Sequence, residues 1–100
     1  MVNYDVTVSG TASSGTFSFN TKKFDNAKLA QIIVKAATAT TTFDVKIEDD
    51  NDIVVYQTET KPTGTLRHEV HIPLKGIHTV TIENASADEA FTGKLMVEEP

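Results

Sequence analysis

An all-β fold, an antiparallel β-sandwich of about eight strands in a jelly-roll-like arrangement, is predicted by three features of this chain. Apolar side chains alternate with polar ones in short segments: Val2, Tyr4, Val6 and Val8; Phe43, Val45 and Ile47; Leu66, Val70 and Ile72; Phe91, Leu95 and Val97. A period of two sends alternate side chains to opposite faces, so each segment reads as a strand with one buried face. Gly, Pro, Asn and Asp break the chain about every ten residues, the spacing of turns in a sandwich. Threonine is abundant, and its branched β-carbon suits strands while its hydroxyl stays in water.

The elements follow in order. Residues 2–8 form the first strand. Ser9 to Gly15 (SGTASSG) is small and polar, and reads either as a long turn or as the hinge of an amino-terminal arm spanning residues 1–14. Phe17 and Phe19 alternate in a second strand at 16–20. Residues 27–37 (AKLAQIIVKAA) fit two descriptions. Leu29, Ile32, Ile33 and Ala36 have helical spacing with Asp25 as a cap, whereas a strand would turn Ala30, Ile32, Val34 and Ala36 inward. The β-branched run Ile32-Ile33-Val34 fits a sheet better. Strands at 42–48 and 53–58 flank a turn at Asp49 to Asp52. Pro62 and Gly64 fix the next loop. A strand at 65–72 stops before Pro73, which has no N–H for a ladder. Gly76 turns the chain into a strand at 77–83, where Ile77 is out of phase with Val80 and Ile82 and predicts a bulge near His78. A polar turn at 84–89 precedes the closing strand at 90–97. The expected core is Phe43, Val45, Ile47, Val70, Ile72, Val80, Ile82, Phe91, Leu95 and Val97.

One hundred residues make one domain, able to bury about two-thirds of its extended surface. Without cysteine there is neither a disulfide frame nor a thiolate ligand or nucleophile, which suits a reducing compartment. The amino terminus MVNYDVTVSG has neither the basic patch nor the apolar stretch of a signal peptide. No apolar run approaches the ~18 residues of a membrane span. A net charge of -5, with scattered Lys and Arg, argues against a phosphate-backbone binder.

Candidate sites are few. Glu48-Asp49-Asp50-Asn51-Asp52 could gather oxygens around calcium, but it lacks the glycine and terminal glutamate of an EF-hand loop, and Asp and Asn are also what a hairpin turn prefers. His68 and His71 stand three apart, which on a strand puts them on opposite faces, so they cannot share one ion. His78 lies in another strand. No nucleophile stands in a recognisable motif with a base, and no glycine-rich phosphate loop occurs. Asn84-Ala85-Ser86 matches a glycosylation sequon, a short pattern common by chance. No catalytic residue, metal or cofactor is expected. The residues singled out for partner binding are Val2, Tyr4, Val6 and Val8, as an arm able to pair with another chain's sheet edge; an ordinary edge strand explains the same alternation.

From Thr42 onward, an aromatic-x-Val-x-Ile-x-Asp segment leads through a polar turn to an apolar strand ending in Tyr56. A Pro-x-x-Gly turn then introduces Thr79-Val80-Thr81-Ile82, and an acidic turn leads to Phe91-x-x-x-Leu95-x-Val97. This layout resembles small β-sandwich virion proteins of tailed bacteriophages. It departs from them at Asp49 to Asp52, where such hairpins often carry a glycine. The resemblance implies a non-enzymatic capsid decoration (cement) protein on the virion surface, assembled in the host cytoplasm, with the major capsid protein and copies of itself as partners. It implies no nucleic acid, membrane or small-molecule partner and no catalytic residue. A tail or baseplate accessory protein and a secreted ligand-binding module are the alternatives.

If these faces are read correctly, Val80→Asp unfolds the domain and Asp50→Ala is tolerated. An unpaired buried carboxylate costs several kcal/mol, against a total stability of about 5–15 kcal/mol. Urea melts of the two variants measure the contrast; equal midpoints would mean that the faces or the turn are misassigned.

Overall fold

The computed structural model describes residues 2–100. It contains β1 (Val2–Ala12), a 3-10 turn (Ser13–Gly15), β2 (Phe17–Asn20), β3 (Phe24–Ala36), β4 (Asp44–Glu48), β5 (Val54–Gln57), β6 (Thr65–Gly76), β7 (Thr79–Glu83) and β8 (Glu89–Glu99). Two four-stranded sheets form, in the orders β1-β8-β3-β6 and β2-β7-β4-β5, and every pairing is antiparallel. Successive strands alternate between the sheets, except that β4 and β5 pair as a hairpin. This is the jelly roll, an eight-stranded double sheet.

The core lies between the sheets, where the period-two pattern meets from both sides. Phe24, Leu29, Ile32, Val34, Leu95, Val97 and Val8 of the first sheet pack toward Val45, Ile47, Val80 and Ile82 of the second. Nine of the ten expected core residues are buried, and Ile72 is half-buried against them. Phe43 and Phe91 meet edge to face at 5.0 Å, and Phe91 also meets Phe17 at 6.0 Å. Aromatic pairs in this geometry add about 0.5–1.5 kcal/mol beyond burial.

Residues 27–37 lie in β3 apart from Ala37, so the helical spacing there has no structural counterpart. The spacing has another cause. Between Leu29 and Gln31 the register shifts against both neighbours. β3 carries the extra residue Ala30 against β8, and β6 carries a further one, at Val70 and His71, against β3. The bulge switches the inward parity from Ala27 and Leu29 to Ile32, Val34 and Ala36. Ala30, expected inward, is therefore half-buried at the bulge while Leu29 is buried. A phase change within a strand mimics the helical repeat.

Other boundaries also differ. Ser9 to Ala12 continue β1 in register with β8, so only Ser13 to Gly15 turn. Met1 of the 1–14 segment lies outside the described residues. The strand at 65–72 does not stop before Pro73: β6 runs to Gly76, with Pro73 opposite Lys28. β6 is an edge strand, where a residue without N–H can face the open side at no cost to the ladder. The bulge expected near His78 is instead a connection. Ile77 and His78 link β6 to β7, which begins at Thr79. Thr21 fastens this link, its Oγ1 accepting the His78 N–H at 3.0 Å and its own N–H donating to the His78 carbonyl at 2.8 Å.

Gly93, in the middle of β8, sits at φ 156°, and a Cβ there would lie 2.0 Å from the Ile33 carbonyl oxygen. The obstacle is backbone of the adjacent strand, which has no flexible end to move aside. Gly93→Ala should therefore destabilise the domain by about 3 kcal/mol or more, well above the usual cost of overpacking. Chemical denaturation checks this, and a loss below about 1 kcal/mol would show that β3 and β8 can part there without strain.

Candidate interaction surfaces

Strand directions place the connections at two ends of a body of 38 × 24 × 22 Å. One end gathers the start of β1, the β2–β3 link, the β4–β5 turn, the β6–β7 link and the end of β8. Among the described residues the exposed large apolar side chains are Val2 (61% exposed), Ile53 (58%), Val54 (44%) and Ile77 (44%), and all lie at this end. A groove of about 570 Å³ crosses it between Lys23–Asp25, Asp49–Asn51 and Lys75–Gly76. Asp50 closes against Gly76, where a Cβ would stand 2.5 Å from its Oδ2. At the rim Tyr4 donates to Glu99 Oε1 at 2.7 Å, and the Lys22 ammonium lies 4.2 Å from the centre of the Tyr4 ring. Burial and Glu99 push the Tyr4 phenol above its ordinary value, and the neighbouring Tyr4 and Glu99 side chains raise Lys22.

The acidic run Glu48 to Asp52 is built as a turn. Asp49 Oδ1 accepts the N–H groups of Asn51 (2.9 Å) and Ile53 (3.0 Å), and the Asp49 carbonyl accepts the Asp52 N–H at 3.1 Å. Asp52 sits at φ 60°, the left-handed conformation that a glycine would supply more easily and that Asp tolerates. The three histidines lie apart. His68 faces Tyr56 and His71 is exposed on the other face of β6. His78 is 2% exposed, with its Nδ1 unpartnered among the described residues beside a void of about 10 Å³. Among the described residues no group of three or more His, Asp or Glu side chains is placed to hold an ion. Asn84, in the sequon, stands at φ 57° and donates its amide to Asp44 Oδ2 at 2.9 Å.

Val2, Tyr4, Val6 and Val8 belong to the chain's own sheet, opposite Glu99, Val97, Leu95 and Gly93 of β8. Val8 is buried, Tyr4 and Val6 pack on the core, and Val2 is exposed. They form an edge strand with one open side.

The opposite seam, between the edges of β5 and β6, is a cleft of about 510 Å³. Val55 and Leu66 are among its apolar walls, and Gln57, Thr58, Glu59 and Thr60 among its polar ones. The Tyr56 hydroxyl and His68 Nδ1 share a hydrogen bond of 3.1 Å, and the two rings are 5.7 Å apart. No alternation pattern reveals this pair, because it depends on which sheet edges face each other.

No family model matches the chain, and no curated protein does. Among solved structures, it is similar to the carbohydrate-binding module CBM36 in complex with calcium and xylotriose, at 11% identity and TM-score 0.42, over 95% of this chain and 87% of that one. It is also similar to the Gx strain of infectious bursal disease virus, at 11% identity and TM-score 0.45, over 96% of this chain and 31% of that one. A D431N mutant VP2 protein of the same virus gives 14% identity and TM-score 0.37, over 96% and 31%. The chain thus spans under a third of these viral proteins. At TM-scores below 0.5 the likenesses carry nothing on function, and the fold rests on the strand pairings themselves.

Burial also pushes the Tyr56 phenol above its ordinary value of 10.0. A folded-state value above the unfolded one means that the stabilisation is complete below about pH 10 and lost as pH rises through the folded value. Domain stability should fall as the pH rises above about 10, and fall less in Tyr56→Phe. Urea melts from pH 8 to 11 measure this, and parallel curves for the two proteins would remove Tyr56 as a cause.

Proposed function

We propose that this chain is a non-catalytic structural protein of a virion, and that it decorates the capsid of a tailed phage as a cement protein. The observation that carries the reading is the gathering of every exposed large apolar side chain of the described residues at one end of a jelly roll. Exposed apolar groups at one end, interleaved with charged side chains, suit a contact surface. The jelly roll builds capsid and lectin domains alike, so the fold permits the reading without requiring it. The phage-like layout from Thr42 onward adds the specific role.

The mechanism is mechanical. The end face would sit across junctions of the major capsid protein, burying over about 1,000 Å² in a stable contact. Binding stabilises whichever state it prefers, so an occupied lattice resists rupture. The partners are the major capsid protein and other copies of this chain, on the capsid surface after assembly in the host cytoplasm. Nucleic acid, membrane, small molecule and cofactor have no part.

Capsids lacking the protein should burst at a lower temperature than complete ones, and added protein should restore the difference. The double variant Ile53→Asp, Ile77→Asp should keep its melting temperature within a few degrees, since exposed substitutions change stability little, yet bind capsids at least about tenfold less. Particle reconstruction decides the location. Density in the tail would establish the tail or baseplate alternative, and absence from purified virions would end the virion reading.

A further inference from the structure

The four sheet edges are not equally protected. β2 and β5 offer only four residues each. β6 is long, but carries Pro73, two register shifts and the charges of Arg67, Glu69 and Lys75. These devices discourage pairing with another chain. β1 has fewer of them: eleven residues, no proline, no register shift against β8 and a single charge. The side chains on its outer face are Asn3, Asp5, Thr7, Ser9 and Thr11, and the one charge, Asp5, lies 3.7 Å from Lys94.

The direction of its free backbone groups follows from two bonds. Ala37 donates to the Ala90 carbonyl at 2.9 Å, so even-numbered residues of β8 bond toward β3 and odd-numbered ones toward β1. The odd residues of β8 pair with the even residues of β1, and the Ala12 carbonyl accordingly accepts the Asp88 N–H at 2.9 Å. The N–H and C=O groups of Asn3, Asp5, Thr7, Ser9 and Thr11 therefore point to the open side.

We propose that β1 pairs antiparallel with β1 of a second copy of this chain, about a two-fold axis at Thr7, joining two four-stranded sheets into one of eight. This register overlaps the whole strand. It sets Thr7 opposite its twin, Asp5 opposite Ser9 and Asn3 opposite Thr11, making about ten backbone hydrogen bonds among groups that all face outward. No like charges oppose each other. On the inner face Val6 meets Val8, and Tyr4 lies across from Gly10, whose inner face the Phe17 ring of the same chain already covers. A second copy fits because the strand complements itself in backbone parity and charge. The pairing concerns the isolated domain and stands apart from the virion reading.

The test uses the purified protein in sedimentation and amide exchange. The dimer should form reversibly with concentration, with the amides of Asn3, Asp5, Thr7, Ser9 and Thr11 protected in step with it. Thr7→Glu faces Lys94 within its own sheet, so the fold should hold, but it opposes its twin across the axis and should weaken dimerisation at least about tenfold at low salt. Ser18→Glu, on β2, should leave it unchanged. A protein that stays monomeric at millimolar concentration overturns the proposal. So does a dimer whose odd-numbered β1 amides exchange freely, or one that Thr7→Glu leaves intact.

Discussion

The close approach of β3 and β8 at Gly93 is the constraint on which the rest of the sandwich depends. β8 pairs with β1 on one side and β3 on the other, so it alone joins the edge strand β1 to the remainder of its sheet. From the same strand Phe91, Leu95 and Val97 enter the core, and Phe91 reaches Phe43 and Phe17. Its first residue, Glu89, is 9% exposed and accepts the Thr38 N–H, which ties the β3–β4 connection to this end of the sheet. Any side chain at position 93 drives β8 from β3 and loosens all of these contacts together.

Alternation made most of this legible. The strands carrying Val45 and Ile47, Val80 and Ile82, or Phe91, Leu95 and Val97 face the core because each keeps one parity from end to end, and Phe43, just before β4, continues that parity. β3 does not. Its bulge at Ala30 breaks the parity, and a broken period of two is hard to tell from a period near 3.6. Polarity also misled at Ser9 to Ala12. Small polar residues resemble a turn, yet here they continue an edge strand whose outward face meets only water. Pro73 failed as a stop signal for the same reason, since an edge strand tolerates what a central strand would not.

The surfaces were less legible than the core, because they depend on which connections share an end. Val2, Ile53 and Ile77 are far apart in the chain, and each alone is an unremarkable exposed apolar residue. Their common end follows only from the topology, which turns β4 into β5 and β6 into β7 beside the start of β1. The same holds for Tyr56 and His68, which meet because β5 and β6 are both edges on one side of the sandwich. His78 illustrates the cost of a connection at the end of a core. Its backbone is held on both sides by Thr21, while its ring, 6.0 Å from Phe24, buries an Nδ1 that has no partner among the described residues.

The apolar end and the β1 edge use different chemistry and different places. The end offers side chains; the edge offers backbone groups along the long axis. They meet at Val2, which is exposed at the end and is also the first residue of the edge. An antiparallel partner reverses the long axis, so in a β1-paired dimer the two apolar ends point to opposite poles. Such a dimer is a bridge rather than a plug. The joined sheet would connect the two apolar ends directly. Backbone hydrogen bonds lie across that seam in a row, so sliding it must break several at once. That arrangement places cooperative resistance between the two apolar ends of such a dimer.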